Sequence, residues 1–384
     1  MPTKDKGHKN LNVPNLRVPE FQGEWEKKRL CQVLKIGNGK DYKHLAEGDI
    51  PVFGTGGYMV SVNDYLMDGE TVCIGRKGTI NRPFYYSGKF WTVDTLFYTH
   101  SYNNVIPKFV LYAFEHINWL KYNEASSVPS LSKNTIEQID IDLPSISEQQ
   151  KIAMFLSLID ERIATQNKII EKLESLIIGL NNYLHKKYGN EIEISLAELG
   201  KSYKGLSGKS GDDFDGNGKP YITYVNVYQN NIINESMIGY VKISDGEKQN
   251  MISYGDALFT ISSETPQEVG MAAVYLGDSK ELYLNSFCFG YRLREFKVLN
   301  PQYMPHCFSS YPFRKFVYPL AQGSTRFNLH IHHFLNKKIK IPTFQNQLRI
   351  TNTLTVFLAK IATEKQIRAA FIQQKTHFIK ELIR

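Results

Sequence analysis

With 384 residues, 42% of them hydrophobic and 22% charged, the chain carries enough apolar side chains for two or three packed cores, which excludes a disordered or fibrous protein. No apolar run approaches the roughly 18 residues of a membrane span, and the charged stretch Met1 to Asn10 has no apolar segment behind it, so neither a span nor a secretory leader is expected and the cytoplasm is the expected location. A formal net charge of +8, with 23 tyrosines and 22 phenylalanines, favours a polyanionic partner, because cations attract phosphates and rings stack on bases.

Residues 1–24 read as a lead-in and residues 25–145 as a first globular domain. Within it, 71–74 and 90–93 read as strands, being β-branched or aromatic runs bounded by turn formers, and 107–118 as a short helix. Pro144-Ser145-Ile146-Ser147-Glu148 then marks a helix start: Ser145 is placed to cap, and Glu148 to accept the cap amide. From there apolar residues recur at spacings of three and four: Leu156, Ile159, Ile163, Ile170, Leu173, Ile177, Leu180 and Leu184, with Gln166 the one interruption. That period of about 3.5 predicts a coiled-coil face on a long helix over 146–188. Lys186, Lys187, Gly189 and Asn190 stop it, since cations suit a helix C-terminus and glycine a left-handed cap.

Residues 189–342 read as a second globular domain, with strands at 221–225 and 287–291 and a short helix over 301–311. Pro342-Thr343 starts a second long helix over 343–384, with Asn346 where the first has Glu148. Its seam, Leu354, Phe357, Ile361, Glu364, Arg368, Phe371, Lys375, Phe378 and Leu382, is interrupted by charge and is expected to lean on Ile367, Ile372 and Ile379. The two halves echo each other in step. Ser126-Ser127-Val128-Pro129-Ser130-Leu131 answers to Ser324-Thr325-Arg326-Phe327-Asn328-Leu329, and the start at Leu143-Pro144 to that at Ile341-Pro342. The expected fold is mixed α/β (α+β): two globular domains separated by two long helices that pair as an antiparallel coiled coil, with a pseudo-twofold internal repeat. Ile152, Phe155, Ile169, Ile178, Ile367 and Ile372 lie off the seams, and such surplus apolar surface predicts a docked partner.

Several motifs fall short of the chemistry they suggest. Gly205-Leu206-Ser207-Gly208-Lys209-Ser210 has two residues between its glycines where a phosphate loop needs four. The run from Asp213 opens like a calcium loop but places Tyr224 where the bidentate Glu belongs. Asn300-Pro301-Gln302-Tyr303 is one residue from the Asn-Pro-Pro-Tyr of amino-methyltransferases, yet no glycine-rich cofactor loop accompanies it, so it reads as a helix cap. His330, His332 and His333 lack further ligands, and Cys31, Cys73, Cys288 and Cys307 lie far apart and read as small core residues. Neither a metal site nor a catalytic centre is expected.

Polar loops remain as candidate readers. Thr55 sits among glycines whose bare backbone can approach a ligand. Arg76, Lys77, Thr79, Asn81 and Arg82 combine cations with short donors suited to phosphates and base edges. Ser126 and Ser127 lie in the first echo, and Ser262, Ser263 and Glu264 with Gln322, Ser324, Thr325, Arg326 and Asn328 form the corresponding set in the second half.

Over nearly its whole length the sequence resembles the specificity subunit of type I restriction-modification systems. The strings that carry the likeness are the lead-in Val13 to Phe21 ending at Trp25, Phe53-Gly54-Thr55-Gly56-Gly57, Ile74 to Ile80, Phe90 to Phe97, Tyr221 to Val227, Gly255 to Thr260, Asn285-Ser286-Phe287 and Gly323 to Asn328, with the Ser-Glu-Gln-Gln helix start. The second start departs from the pattern, with Gln345-Asn346-Gln347. The resemblance implies a non-catalytic chain with two target recognition domains, each reading half of a bipartite asymmetric site in double-stranded DNA. It also implies two methyltransferase subunits that bind S-adenosylmethionine and methylate adenine, docked on the helices, and restriction subunits that use ATP and Mg to cleave. On the residues alone two other readings stay open, an enzyme fused to its own reader and a stand-alone DNA-binding regulator; cofactor binding by the isolated chain separates the first.

Overall fold

The computed structural model describes residues 12–189 and 191–384; the start of the lead-in and Asn190 of the predicted helix stop lie outside the described residues. The fold is mixed α/β, as the sequence predicts. The chain forms two compact units, one of residues up to Lys168 together with Lys365–Arg384, the other Ile169–Glu364. The first long helix, Ile146–Tyr188, and the second, Phe344–Leu382, each contribute to both. Among the described residues no helix is long and apolar enough to cross a membrane.

In the first unit a six-stranded sheet runs in the spatial order Lys35–Asn38, Leu96–His100, Met67–Gly75, Phe84–Thr92, Glu47–Gly54, Gly57–Val62. The helix Pro107–His116 buries Phe109, Val110 and Phe114 in the core beside it, where Trp25 and Trp119 also lie. A separate ribbon pairs Glu26–Arg29 with Asp140–Leu143 and delivers the chain to the first long helix.

Within this unit the long helices run antiparallel. Phe155 meets Phe378 edge-on at 4.9 Å, Arg162 lies over Phe371 at 6.0 Å, and Arg368 donates to Asn167 Oδ1 at 3.2 Å, so one helix advances as the other retreats. The charged seam position Lys375 has a local solution. Its ammonium sits 2.7 Å from Asp160 and 2.8 Å from Glu115, over the Tyr112 ring, whose hydroxyl donates to Asp160. Burial pushes the Glu115 carboxyl up and Lys375 pulls it back. A shift in register would part Lys375 from both carboxylates and leave buried charge uncompensated, so the cluster favours this register over its neighbours. Of the neighbours expected to assist the seam, Ile379 is buried, whereas Ile367 and Ile372 face solvent.

The predicted cap at the first helix is half right. Ser145 Oγ accepts the Glu148 amide at 3.4 Å, but the Glu148 carboxylate is gripped by Arg17 of the lead-in, with both contacts at 2.8 Å. A nearby guanidinium outcompetes a backbone amide for a carboxylate.

The second unit repeats the plan with shorter strands. A four-stranded sheet runs Gly200–Lys204, Cys288–Leu293, Ala257–Thr260, Ala272–Val274, and a ribbon pairs Ile192–Ser195 with Lys338–Ile341 ahead of the second long helix. The expected strand over 221–225 stops at Ile222. Thr223 caps a helix Tyr224–Gln229 by accepting the Asn226 amide, and that local bond overrides the β-branched composition. The first long helix is held here by His185. Its Nδ1 faces Asn181 O at 2.9 Å and its Nε2 faces the Tyr303 hydroxyl at 2.8 Å, the one-donor, one-acceptor pattern of neutral imidazole, and burial pushes its pKa down accordingly. Asn346 cannot supply a carboxylate at its helix start; Glu191 supplies one instead, accepting from Thr343 N and Asn346 Nδ2. Cys73, Cys288 and Cys307 are core residues as expected, but Cys31 is exposed.

Both units share one latch. Gln149, fully buried, accepts from Ile106 N at 3.0 Å and donates to Asn104 O and Pro144 O at 3.1 and 3.0 Å. Gln347, equally buried, accepts from Asn300 N at 2.9 Å and donates to Val298 O and Pro342 O at 2.8 and 3.0 Å. Replacing either by Leu strands backbone groups away from water and is expected to cost about 2–4 kcal/mol. All three tryptophans, Trp25, Trp91 and Trp119, belong to the first unit, so fluorescence-monitored urea unfolding reports on that unit. Gln149→Leu should lower its midpoint strongly and Gln347→Leu mainly the transition seen by circular dichroism; equal fluorescence shifts would mean that the latches do not act locally.

Candidate nucleic-acid interface

In the first unit two arms cross at the end of the strand Met67–Gly75. Leu131 N donates to Arg76 O at 2.9 Å, Gly78 N to Pro129 O at 2.8 Å, and Lys77 bridges to Ser130. From the other side Thr95 O accepts the Arg76 and Lys77 amides at 2.8 and 3.2 Å. Gly78 has φ +97°, a conformation that favours glycine, and lies against Thr55 Oγ1 at the tip of the hairpin Glu47–Gly54/Gly57–Val62. The structure thus brings Thr55, Arg76, Lys77 and Ser127 to one place, with Ser126 exposed next in the chain, Thr79 half-buried, and Asn81 and Arg82 exposed on the continuing loop. A crevice of about 520 Å³ opens between the arms, lined by Arg76, Lys77, Ser127, Val128 and Lys133.

The electrostatics of this crevice are one-sided. Its one lining carboxylate, Glu124, is engaged by Thr135 and Ser132, whose hydrogen bonds hold it below the usual carboxylate range. Arg76 lies over the Phe97 ring at 5.8 Å, and among the described residues no carboxylate lies within 4.0 Å of Arg76, Lys77 or Arg82. Unpaired cations above an aromatic floor suit a phosphate and the base next to it.

The second unit builds the same crossing. Leu329 N donates to Ile261 O at 2.8 Å, Ser262 and Ser263 pair with Asn328 and Phe327, and Ile261 N donates to Phe287 O at 3.0 Å. By these bonds Arg76 corresponds to Ile261, Lys77 to Ser262 and Thr95 to Phe287. Gly323, at φ +132° and within 2.0 Å of Arg326 O had it a Cβ, makes the tight turn that leaves Gln322, Ser324, Thr325, Arg326 and Asn328 exposed. Glu264 is exposed as well.

Ser262 and Ser263 are a correction. They are 7% and 4% exposed because their short strand is paired, the Ser263 hydroxyl donates to Thr265 O at 2.6 Å, and Ser262 O accepts from the Tyr224 hydroxyl at 2.8 Å. They frame the site instead of facing out. What the sequence reading missed is Phe287, Tyr224 and Val128; Phe287 is 60% exposed and Val128 43%. The signal for Phe287 was Asn285, whose side chain organises the turn before the strand Cys288–Leu293.

Among the docking candidates, Ile152 is also corrected: at 3% exposure it belongs to the first unit's core, on the same helix face as fully buried Leu156. Phe155, 41% exposed, is partly used by Phe378. Ile169, Ile178, Ile367 and Ile372 do present apolar surface to solvent. His330, His332 and His333 line up on the surface, and no group of three metal-ligating side chains occurs among the described residues.

Comparison with known proteins agrees with this duplicated architecture. A protein designated a type I specificity subunit in Mycoplasma pneumoniae, S.MpnORF507P, is 23% identical over 85% of this chain and 86% of its own length. The type I restriction enzyme MjaVIII specificity subunit of Methanocaldococcus jannaschii is 28% identical over 48% of this chain, but that stretch spans less than half, 46%, of the relative. In fold, the chain is similar to the type I restriction-modification S subunit of M. genitalium, with a TM-score of 0.55 at 15% identity, covering 97% of this chain and 99% of that one. A chain from work on complex assembly and conformational transition of the type I R-M system gives 0.56 at 13% identity, covering 93% and 97%. Residues 22–175 and 191–371 each match the type I restriction modification DNA specificity domain, and with both halves so matched the chain belongs to that family.

Proposed function

We propose that this chain is the DNA-reading subunit of a type I restriction-modification enzyme, in which residues 25–145 and 189–342 each recognise one half of a bipartite, asymmetric site. The observation that carries this is the crossing of arms built twice with the same backbone bonds and different side chains: one geometry supplies two readers, and the divergence between Arg76 and Ile261, or Val128 and Arg326, makes the halves read differently. The long helices, residues 146–188 and 343–384, serve as spacer and dock. In this reading the chemistry belongs to partners: two methyltransferase subunits with S-adenosylmethionine act on adenine, and restriction subunits with ATP and Mg cleave. Long-read methylation mapping in a host carrying the chain and its cognate methyltransferase tests it. A split, asymmetric adenine motif is expected, and a continuous or symmetric motif would overturn the reading.

The unpaired cations should act mostly on phosphates. Arg76→Ala and Arg326→Ala are each expected to weaken binding across sequences and to lower the salt slope of log K by about one, whereas loss of a base contact would cost roughly 1–3 kcal/mol and relax one position. Binding titrations over a salt series distinguish the two, and unchanged affinity in both variants would remove these arginines from the interface.

A further inference from the structure

Phe287 stands in water on a turn that has almost no freedom. Asn285 Oδ1 accepts its amide at 2.9 Å, Asn285 O accepts the Cys288 amide at 3.0 Å, and Phe287 O accepts the Ile261 amide at 3.0 Å. The turn is braced from beneath: Asn285 N donates to Ile222 O at 3.0 Å and Leu206 N to Leu284 O at 2.7 Å. A Cβ on Gly205 would stand 2.2 Å from Asn285 O, so the loop reminiscent of a phosphate loop is a support that glycine alone permits. With 60% of its surface exposed, the ring gains little from the core that holds its backbone so firmly. An exposed aromatic side chain on a fixed backbone is suited to a contact made elsewhere, because binding has only the side chain left to order.

Its place in the repeat says what that contact is. The first unit has Thr95 at the corresponding position and the cation Arg76 bonded to it; the second has Phe287 bonded to Ile261. On the opposite arm the order is reversed, with exposed Val128 in the first unit and Arg326 in the second. Each face therefore combines an arginine with an exposed apolar side chain, and the arginine sits on opposite arms in the two units. A contact to phosphate carries no sequence information, whichever cation makes it, whereas an apolar group has nothing to gain from phosphate and can tell a thymine methyl from its absence or wedge into a base step.

We propose that Phe287 is a specificity-determining residue, making an apolar contact with a base of the half-site read by the second unit; this rests on the DNA-reading function above. Methylation mapping of the assembled methyltransferase with Phe287→Ala and Phe287→Leu is expected to leave the gap and one half-site intact while one position of the other half-site becomes degenerate, with discrimination there falling about tenfold. An unchanged motif in both variants, or equal weakening of both half-sites with unaltered thermal unfolding, overturns the assignment to Phe287 while the split motif of the parent chain stands. A parent chain without a split motif removes the DNA reading and this proposal together. Synthetic duplexes carrying the mapped site separate the two forms of contact. Uracil for thymine at the degenerate position reproduces the Phe287→Ala loss if a methyl is read, and a Phe287-dependent rise in 2-aminopurine fluorescence marks a wedge. The absence of both responses would overturn a base contact.

Discussion

Adding four residues to each long helix, between Lys168 and Ile169 and between Glu364 and Lys365, should lengthen the unread gap of the DNA site by one or two base pairs while both half-sites stay the same. The chain passes between its two units only at these two points. The first long helix has 43 residues, about 64 Å at 1.5 Å per residue, which matches some nineteen base pairs at about 3.4 Å each. Four residues add about 6 Å and slightly more than one turn, so the apolar stripe drifts by only about 40°. Insertion here leaves the glutamine latches, the Lys375 cluster and the His185 contact in place, whereas insertion nearer Asn181 would pull that side chain from His306 O, which it holds at 3.0 Å. Methylation mapping of the doubly lengthened protein is the measurement. An active enzyme that keeps the original gap would mean that the helices do not set it.

The second large effect is expected at the helix surface. Ile169 and Ile178 are 38% and 65% exposed and lie off the stripe formed by Ile170, Leu173 and Ile177. Replacing both with Glu buries uncompensated charge in any interface that forms there, at several kcal/mol, enough to abolish co-purification of a methyltransferase subunit. Since neither side chain is in a core, the double variant should unfold at the same urea concentration as the parent. Retained co-purification would place the dock elsewhere, and the exposed Ile367 and Ile372 would be the next positions to test.

The parts of the fold that sequence could foretell are those written in short-range chemistry. The stripe from Leu156 to Leu184 repeats often enough for its period to be unambiguous, and each of its positions is buried or half-buried. The strand at 221–225 failed because a single Thr223 hydroxyl competes locally with pairing. Glu148 was assigned to a cap it shares a turn with, although the stronger partner, Arg17, comes from far along the chain. In the candidate interface Arg76 and Arg326 stand out as cations among small residues, but the burial of Ser262 depends on a strand pairing that nothing within a few residues encodes, and Asn285 marks the turn at Phe287 without saying that the ring is exposed.

The glutamine latches have a consequence for how such a chain can change. Gln149 and Gln347 grip only main-chain atoms, an amide and two carbonyls each, and every residue but proline offers that amide and every residue that carbonyl. The globular segment beside each helix can therefore change its side chains at the gripped positions without loosening this attachment, provided that the contacts of Tyr112 and Glu115 with the helices in the first unit, and of Tyr303 in the second, are kept. On the DNA-reading function proposed above, a change in one half leaves the latch of the other untouched, so new pairings of half-sites would be reachable by exchange of one segment as well as by point mutation in the loops.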